Sequence, residues 1–345
     1  MTNRVGVSEV FLAPLVLCSA MLACALTTGE IANVSMRSLI VPYVWTSIIF
    51  TALSVMISLF WWVFQLARVG ADAPIRTVVS KLRERAPFML LSAAVFPIFL
   101  ASFTATKSAI PFLVGYTWDP FWAHVDRFIF GDDVWRIAHH WLGNAATRPF
   151  EWFYVAVWAP TLVFSMALIP LNATARFTAK FYTAMMATWF VGGFVLAYVL
   201  SAAGPVFAHL VSSDPTVQFA DLRGVLNATL VPHGPIQTGQ MLLPATMSSH
   251  VAVVGGGVSA MPSMHLGVVS IYVIAARRTR WLIPSVAMWA IIFVASGYFG
   301  YHYWIDGIVA AAVATVSWCA AEMLYSGKRR LRLTSLGEPQ LGSAF

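Results

Sequence analysis

Apolar residues fall into eight runs along the chain, at 10–26, 39–66, 88–106, 150–171, 181–203, 264–276, 281–298 and 302–325. Most are near the roughly 20 residues that an α-helix needs to cross a bilayer. No alternating apolar–polar stretch competes with them, so the pattern predicts an all-α, polytopic membrane helix bundle of about eight transmembrane helices. The sixth run is short. Either its first residues, His265 among them, sit below the membrane surface, or the helix continues through Arg277 and Arg278 with their side chains snorkelling.

Two long polar connections interrupt the runs. The first, 107–149, contains DPFWAHVDRFIFGDDVWRIAHHWLG, in which Trp122, Trp135 and Trp141 alternate with charged positions, as in helices lying in the interface. The second, 204–261, opens on Gly204-Pro205 and closes on the glycine run 255–257, which is flexible enough for a lid or hinge. Three regions follow: 1–86 with two helices and a basic loop, a six-helix catalytic domain at 87–326, and a basic, disordered tail at 327–345.

Composition agrees with the pattern. The chain is 59% hydrophobic and 10% charged, against roughly 25% charged in soluble domains. A net charge of +7 would suit a nucleic-acid partner only if the basic residues clustered. They are scattered between apolar runs, so they speak of topology and not of nucleic acid. Arg4, Arg68, Arg76, Lys81, Arg83, Arg85, Arg176, Lys180, Arg277, Arg278, Arg280, Lys328, Arg329, Arg330 and Arg332 fall on one side if the helices alternate. Arg37, Lys107, Arg127, Arg136, Arg148 and Arg223 fall on the other. The excess marks the cytoplasmic side and makes both termini cytoplasmic. The expected location is a bacterial inner (plasma) membrane. Cys18, Cys24 and Cys319 all lie in apolar runs, which indicates neither a disulfide framework nor a zinc site. The first run has no charged leader and reads as a retained helix.

Two histidines stand at the outward mouths of two runs: His265, after Met261-Pro262-Ser263-Met264, and His302, in Gly300-Tyr301-His302-Tyr303. Asp306 lies four residues beyond His302. On a helix that spacing turns about 40° and rises about 6 Å, so imidazole and carboxylate share a face. A carboxylate inside an apolar helix is costly and is a functional candidate by default. Paired with His302 it makes an oriented, basic imidazole, for which His265 can be the matching acid. Pro262 in the first turn of the sixth helix would leave the N–H groups of Ser263 and Met264 pointing outward as an anion site.

Pro262-Ser263-Met264-His265 and His302-Tyr303-Trp304-Ile305-Asp306 resemble the second and third signature motifs of the type 2 phosphatidic acid phosphatase superfamily. SAMPSMHLG is closer to the FPSLHxG form of the inositol phosphorylceramide synthase-like branch than to the common PSGH form. The resemblance covers the last two-thirds of the chain. It implies a metal-independent, cofactor-free phosphoryl-transfer enzyme, a phospholipid-headgroup phosphotransferase or a lipid phosphatase, acting on a membrane lipid at the extracytoplasmic leaflet through a phosphohistidine. A second lipid or a sugar would supply the acceptor hydroxyl in transfer. His265, His302 and Asp306 are the implied triad. Two departures stand out: Ser296 occupies the position of the phosphatase branch's arginine, and the first motif, Lys-x6-Arg-Pro, is absent, with Val114 seven residues after Lys107. Phosphate-binding residues are therefore sought in Ser263, Lys107, Arg127 and Arg223.

His124, His139, His140, His209, His233 and His250 read as ordinary hydrogen-bonding histidines. Outside enzymology, the competing class is a proton-coupled lipid or small-molecule transporter with the same residues as a relay. The absence of an internal repeat, and the placing of the histidines at one face instead of the midplane, argue against it. Magnesium-assisted transfer needs clustered carboxylates, and on the outward side only Asp132-Asp133 form a pair.

Overall fold

The computed structural model describes the backbone of residues 7–335, with side chains from Ser8 to Ser326. Among the described residues there are helices and one isolated bridge, Ser35 to Val251, but no strand. In order the helices are α1 (Val7–Ala32), α2 (Arg37–Arg68), α3 (Pro74–Arg85), α4 (Phe96–Leu113), α5 (Asp119–Phe130), α6 (Val134–Leu142), α7 (Thr147–Glu151), α8 (Trp158–Asn172), α9 (Ala175–Thr188), α10 (Ala197–Val199), α11 (Ala220–Thr229), α12 (Pro235–Ser248), α13 (Met264–Ala276), α14 (Leu282–Tyr298) and α15 (Trp304–Ser335).

Among the described residues six stretches are long and apolar enough to cross a membrane: Ser8–Ala32, Arg37–Arg68, Pro74–Leu113, Asn144–Asn172, Ala175–Val199 and Trp304–Ser326. α13 and α14 are shorter apolar helices. The all-α bundle expected from the sequence is thus the fold. Several boundaries differ. The third span begins at Pro74, because α3 runs into α4 through one 3-10 and one π segment, so the basic loop before it shrinks to 69–73. α3 keeps its charged face outward and buries Val78, which is why a helix forms where charge alone suggests a loop. The fifth span covers 175–199 instead of 181–203. α15 continues through Lys328–Arg332 to Ser335, which corrects the expectation of disorder from Gly327; the rest of that tail, like Arg4, lies outside the described residues.

α13 ends at Ala276, with Arg277 capping it. Thirteen residues span about 20 Å, short of the roughly 30 Å hydrocarbon core. Of the two readings of the sixth run, the one in which the helix runs on through Arg277 and Arg278 fails, and His265 lies in the first turn of this short helix. α5, α6, α11 and α12 fold over that end.

The bundle is held by close packing and by a few polar bonds between helices. Ala101, Ala105 and Ala109 of α4, one helical turn apart, pack in one cluster with Ala25 and Ala32 of α1; small side chains let backbones approach where lipid offers no hydrophobic drive. Thr51 donates to Ser92, Tyr43 pairs with Thr104, and Asn172 bridges Trp62 and Ser58. At one end Glu322 joins Lys180 and Arg277, and Arg85 donates to the Ala173 carbonyl. At the other, the 249–252 segment meets the α1–α2 turn through His250 and Ser38. The connections therefore alternate between ends as the pattern of runs requires.

Candidate active site

The site forms where the starts of α13 and α15 meet beneath α5. Ser263 caps α13: its hydroxyl oxygen accepts from Leu266 N–H at 3.5 Å, while its own N–H donates to the Asp306 carbonyl at 3.1 Å. Pro262 therefore precedes the cap, joined to Met261 by a cis bond, and does not sit in the first turn. The Ser263 N–H ties α13 to α15 and is not available to an anion. Its acceptor could not be assigned from sequence, because the two residues lie 43 positions apart.

His265, in the first turn of α13, is gripped by two rings from one helix. Tyr154 stacks on it with centroids 4.4 Å apart and planes 20° apart, and Trp158 lies 4.3 Å away at 39°. Trp158 also donates Nε1–H to the His265 carbonyl at 3.2 Å. Tyr154 lies in a π-helical segment, Trp152–Val157, ahead of α8. Pro160 explains that segment: it has no N–H to give to the carbonyl of Ala156 and its ring crowds it, so the turn widens. Gly192 and Gly193 stand beside Met264, the first residue of α13. A methyl group at Gly192 would come within 2.7 Å of Met264 Cε, and one at Gly193 within 2.6 Å of Phe103.

His302 does not lie in a helix. It precedes α15, and its N–H and that of Tyr301 donate to the Ser296 carbonyl at 3.3 and 3.1 Å. Its Nδ1 is 2.8 Å from the Ala260 carbonyl and 3.4 Å from Asp306 Oδ2. The nearer acceptor is thus Ala260, with Asp306 the more distant partner of the same nitrogen. The reason is local. Asp306 is the third residue of α15, and its Oδ2 reaches back to accept Tyr303 N–H at 3.0 Å, as the third-position acid of a capping box does. Oδ1 of Asp306 is buried without a hydrogen-bond partner. A carbonyl only accepts, so Nδ1 of His302 carries the proton and Nε2 keeps its lone pair. The two imidazoles lie 5.9 Å apart, at 63°.

Two aspartates absent from the sequence reading hold this corner. Asp126 accepts from the N–H groups of Trp304 and Ile305 at 3.3 and 3.0 Å, so the first turn of α15 has its orphan donors satisfied by Asp306 and Asp126. Asp119 accepts from Ala203 and Gly204 N–H at 2.8 Å each and from Tyr303 Oη at 3.1 Å. Gly204 has φ +89°, and a methyl there would come within 2.5 Å of the Tyr301 carbonyl. Burial pushes the Asp126 carboxyl up to about 7, opposed by its two backbone bonds; Asp119 is also raised by burial, against the same kind of opposition. Their spacing of seven on α5 puts both on one face, a signal legible in DPFWAHVD had the segment been known to face inward.

Lys107 is half-buried six residues before the end of α4, with the backbone of Gly257 against its stem. Among the described residues it has no ion pair and no hydrogen bond, yet its charge acts on both imidazoles. Arg127 is instead held by Asp133 at 2.6 Å and the Thr216 carbonyl at 2.7 Å, and Arg223 by the Gln218 carbonyl. The structure brings Lys107 and Ser263 to the end of the histidines and leaves those two arginines on α5 and α11, engaged with other partners. Ser296 is buried, with Oγ bonded to the Phe293 carbonyl at 2.7 Å. No three His, Cys, Asp or Glu side chains among the described residues converge where a cation could sit.

The arrangement offers one imidazole with a fixed lone pair, a second facing it and an unpaired ammonium close by. A family model described as PAP2 superfamily matches residues 123–320, a span that takes in α5 from Ala123 onward, both histidines and Asp306 but neither Asp119 nor Lys107. No curated protein and no solved structure matches the chain.

Proposed function

Because the chain belongs to the PAP2 superfamily, whose members are generally phosphatases or phosphotransferases, we propose that it transfers a phosphorylated group between lipids through a phosphohistidine on His302. The observation that carries this reading is the pair of imidazoles 5.9 Å apart, with His302 Nδ1 bonded to the Ala260 carbonyl. His302 Nε2 attacks phosphorus while the bond to the leaving oxygen breaks, and His265 delivers its proton to that oxygen. An acceptor hydroxyl then attacks the phosphohistidine, gives its proton to His265, and the P–N bond breaks. Lys107 neutralises the phosphoryl oxygens, and Ser263 holds α13 in register with α15. Asp306 offsets the positive charge that develops on His302.

Transfer is favoured over hydrolysis by charge and by access. With Ser296 in place of an arginine, and Arg127 and Arg223 engaged elsewhere, Lys107 is the cation whose charge reaches the imidazoles. One cation suits a diester, with one negative charge, better than a monoester with nearly two. His302 is 6% exposed, and a covered site protects a reactive intermediate from water. The resemblance of SAMPSMHLG to the inositol phosphorylceramide synthase-like form of the motif supports the same reading. The purified protein should therefore form an acceptor-dependent lipid product from a glycerophospholipid offered with hydroxylated acceptors. Rapid release of inorganic phosphate from phosphatidic acid or a polyprenyl phosphate, with no such product, would leave a phosphatase.

The site end of the bundle faces away from the cytoplasm in this reading, since the basic residues crowd the opposite end. In a background lacking native cysteines, single cysteines beside Arg127 or Arg223 should react with an impermeant thiol reagent added to intact cells. One beside Lys81 should stay unlabelled; labelling there alone would invert the protein and its site.

A further inference from the structure

We infer that the hydroxyl of Tyr154 is a hydrogen-bond donor to the phosphoryl group in flight, a catalytic residue that neither signature motif contains. The inference rests on the phosphoryl-transfer reading above. Tyr154 is 3% exposed, and its Oη has no hydrogen-bond partner. Burying an unsatisfied hydroxyl is costly, and of the fourteen buried side-chain atoms left without a partner among the described residues, this is the one phenol. Every neighbouring phenol is engaged: Tyr116 with the Val258 carbonyl, Tyr301 with the Ile236 carbonyl and Tyr303 with Asp119. The Tyr154 ring lies stacked between His265, at 4.4 Å, and Tyr301, at 5.8 Å. Its hydroxyl is close enough to Asp306 for the two to interact electrostatically. It is thus an unspent donor on a ring stacked against His265.

Place and need coincide. The transition state of phosphoryl transfer spreads charge over the non-bridging oxygens, and preorganised donors there act only as that charge grows. The site has one unpaired cation, Lys107, and Ser296 where an arginine would stand. The π-helical segment that carries Tyr154 is a local departure from regular helix, which often marks a functional position. It rotates the ring onto His265 while Trp158, four residues on, secures the main chain of the same histidine.

The test is Tyr154→Phe, which keeps the stacked ring and removes only the hydroxyl. A purely structural tyrosine would lose nothing, since the hydroxyl bonds to nothing, and the melting temperature should hold or rise. Turnover should fall between about 10- and 100-fold, the worth of a hydrogen bond to a charged group, with KM for the lipid within a factor of about two, as for an interaction made only in the transition state. Orthovanadate, whose five-coordinate adducts resemble that state, should bind more weakly by a similar factor. Should Tyr154→Phe fail to fold, 3-fluorotyrosine at 154 keeps the shape and strengthens the donor, and vanadate should then bind at least as tightly as to the unmodified protein. Wild-type turnover and vanadate affinity in Tyr154→Phe, or weaker vanadate binding with 3-fluorotyrosine, would overturn the inference. His302→Ala run alongside separates the two claims. If it is inactive while Tyr154→Phe is normal, only the role of Tyr154 falls; if it stays active, the phosphohistidine reading falls.

Discussion

His302→Ala should bring phosphoryl turnover down to background while the bundle stays folded. Nε2 of His302 is the atom that bonds to phosphorus in the proposed path, and a cooperating set of catalytic groups loses on the order of 10⁶ in rate when its nucleophile is removed. The structural cost is smaller. The Ala260 carbonyl loses its 2.8 Å donor, worth about 1–3 kcal/mol if it stays buried and unpaired. Tyr303, Trp304 and Ile305 keep their bonds to Asp306 and Asp126, so α15 keeps its start. Single-turnover reaction with radiolabelled lipid phosphate, quenched in base, should trap an alkali-stable, acid-labile phosphoprotein in the wild type and none in His302→Ala. Undiminished labelling of the variant would place the intermediate on another residue.

Asp306→Asn should slow turnover by about 10² to 10³, the loss of one electrostatic partner at a site of developing charge. The four-residue spacing by itself would argue for more, about 10⁴, because an asparagine that alone held the Nδ1 proton would select the wrong tautomer. Here the Ala260 carbonyl lies nearer to Nδ1 than Asp306 does, 2.8 against 3.4 Å, and it holds the tautomer after the substitution. What disappears is the negative charge that offsets a phosphoimidazolium. The amide side chain of the variant can still accept Tyr303 N–H through its carbonyl oxygen, so thermal unfolding should change little. Asp306→Ala should cost stability as well, by about 0.5–2 kcal/mol for a lost cap. Measured kcat and melting temperature for the pair separate the two roles. A 10⁴-fold loss in Asp306→Asn, the size of a wrong-tautomer effect, would return control of the tautomer to Asp306.

The eight apolar runs, their alternation and the two histidine motifs are properties of the chain taken locally. Hydrocarbon thickness and backbone hydrogen bonding demand helices of a given length wherever such runs occur, so an all-α bundle and the shared end of His265 and His302 follow from order alone. Lys107 could be put at that end by counting, but its packing against Gly257 could not be foreseen. Arg127 stands in the same sequence-level class of outward cation, and only the fold decides that Asp133 takes it.

What the sequence could not carry are partnerships over long separations. Ala260 lies 42 residues from His302, Asp126 178 residues from Trp304, and Tyr154 111 residues from His265. Each depends on a backbone direction set by packing: the loop before α13 folded against the turn before α15, α5 laid over the start of α15, a π turn ahead of Pro160. Local pattern determines which segments enter the membrane, because lipid tests every residue against the same solvent. Which unpaired donor meets which unpaired acceptor is settled only when the segments crowd together and each buried polar group must find a partner or do without one.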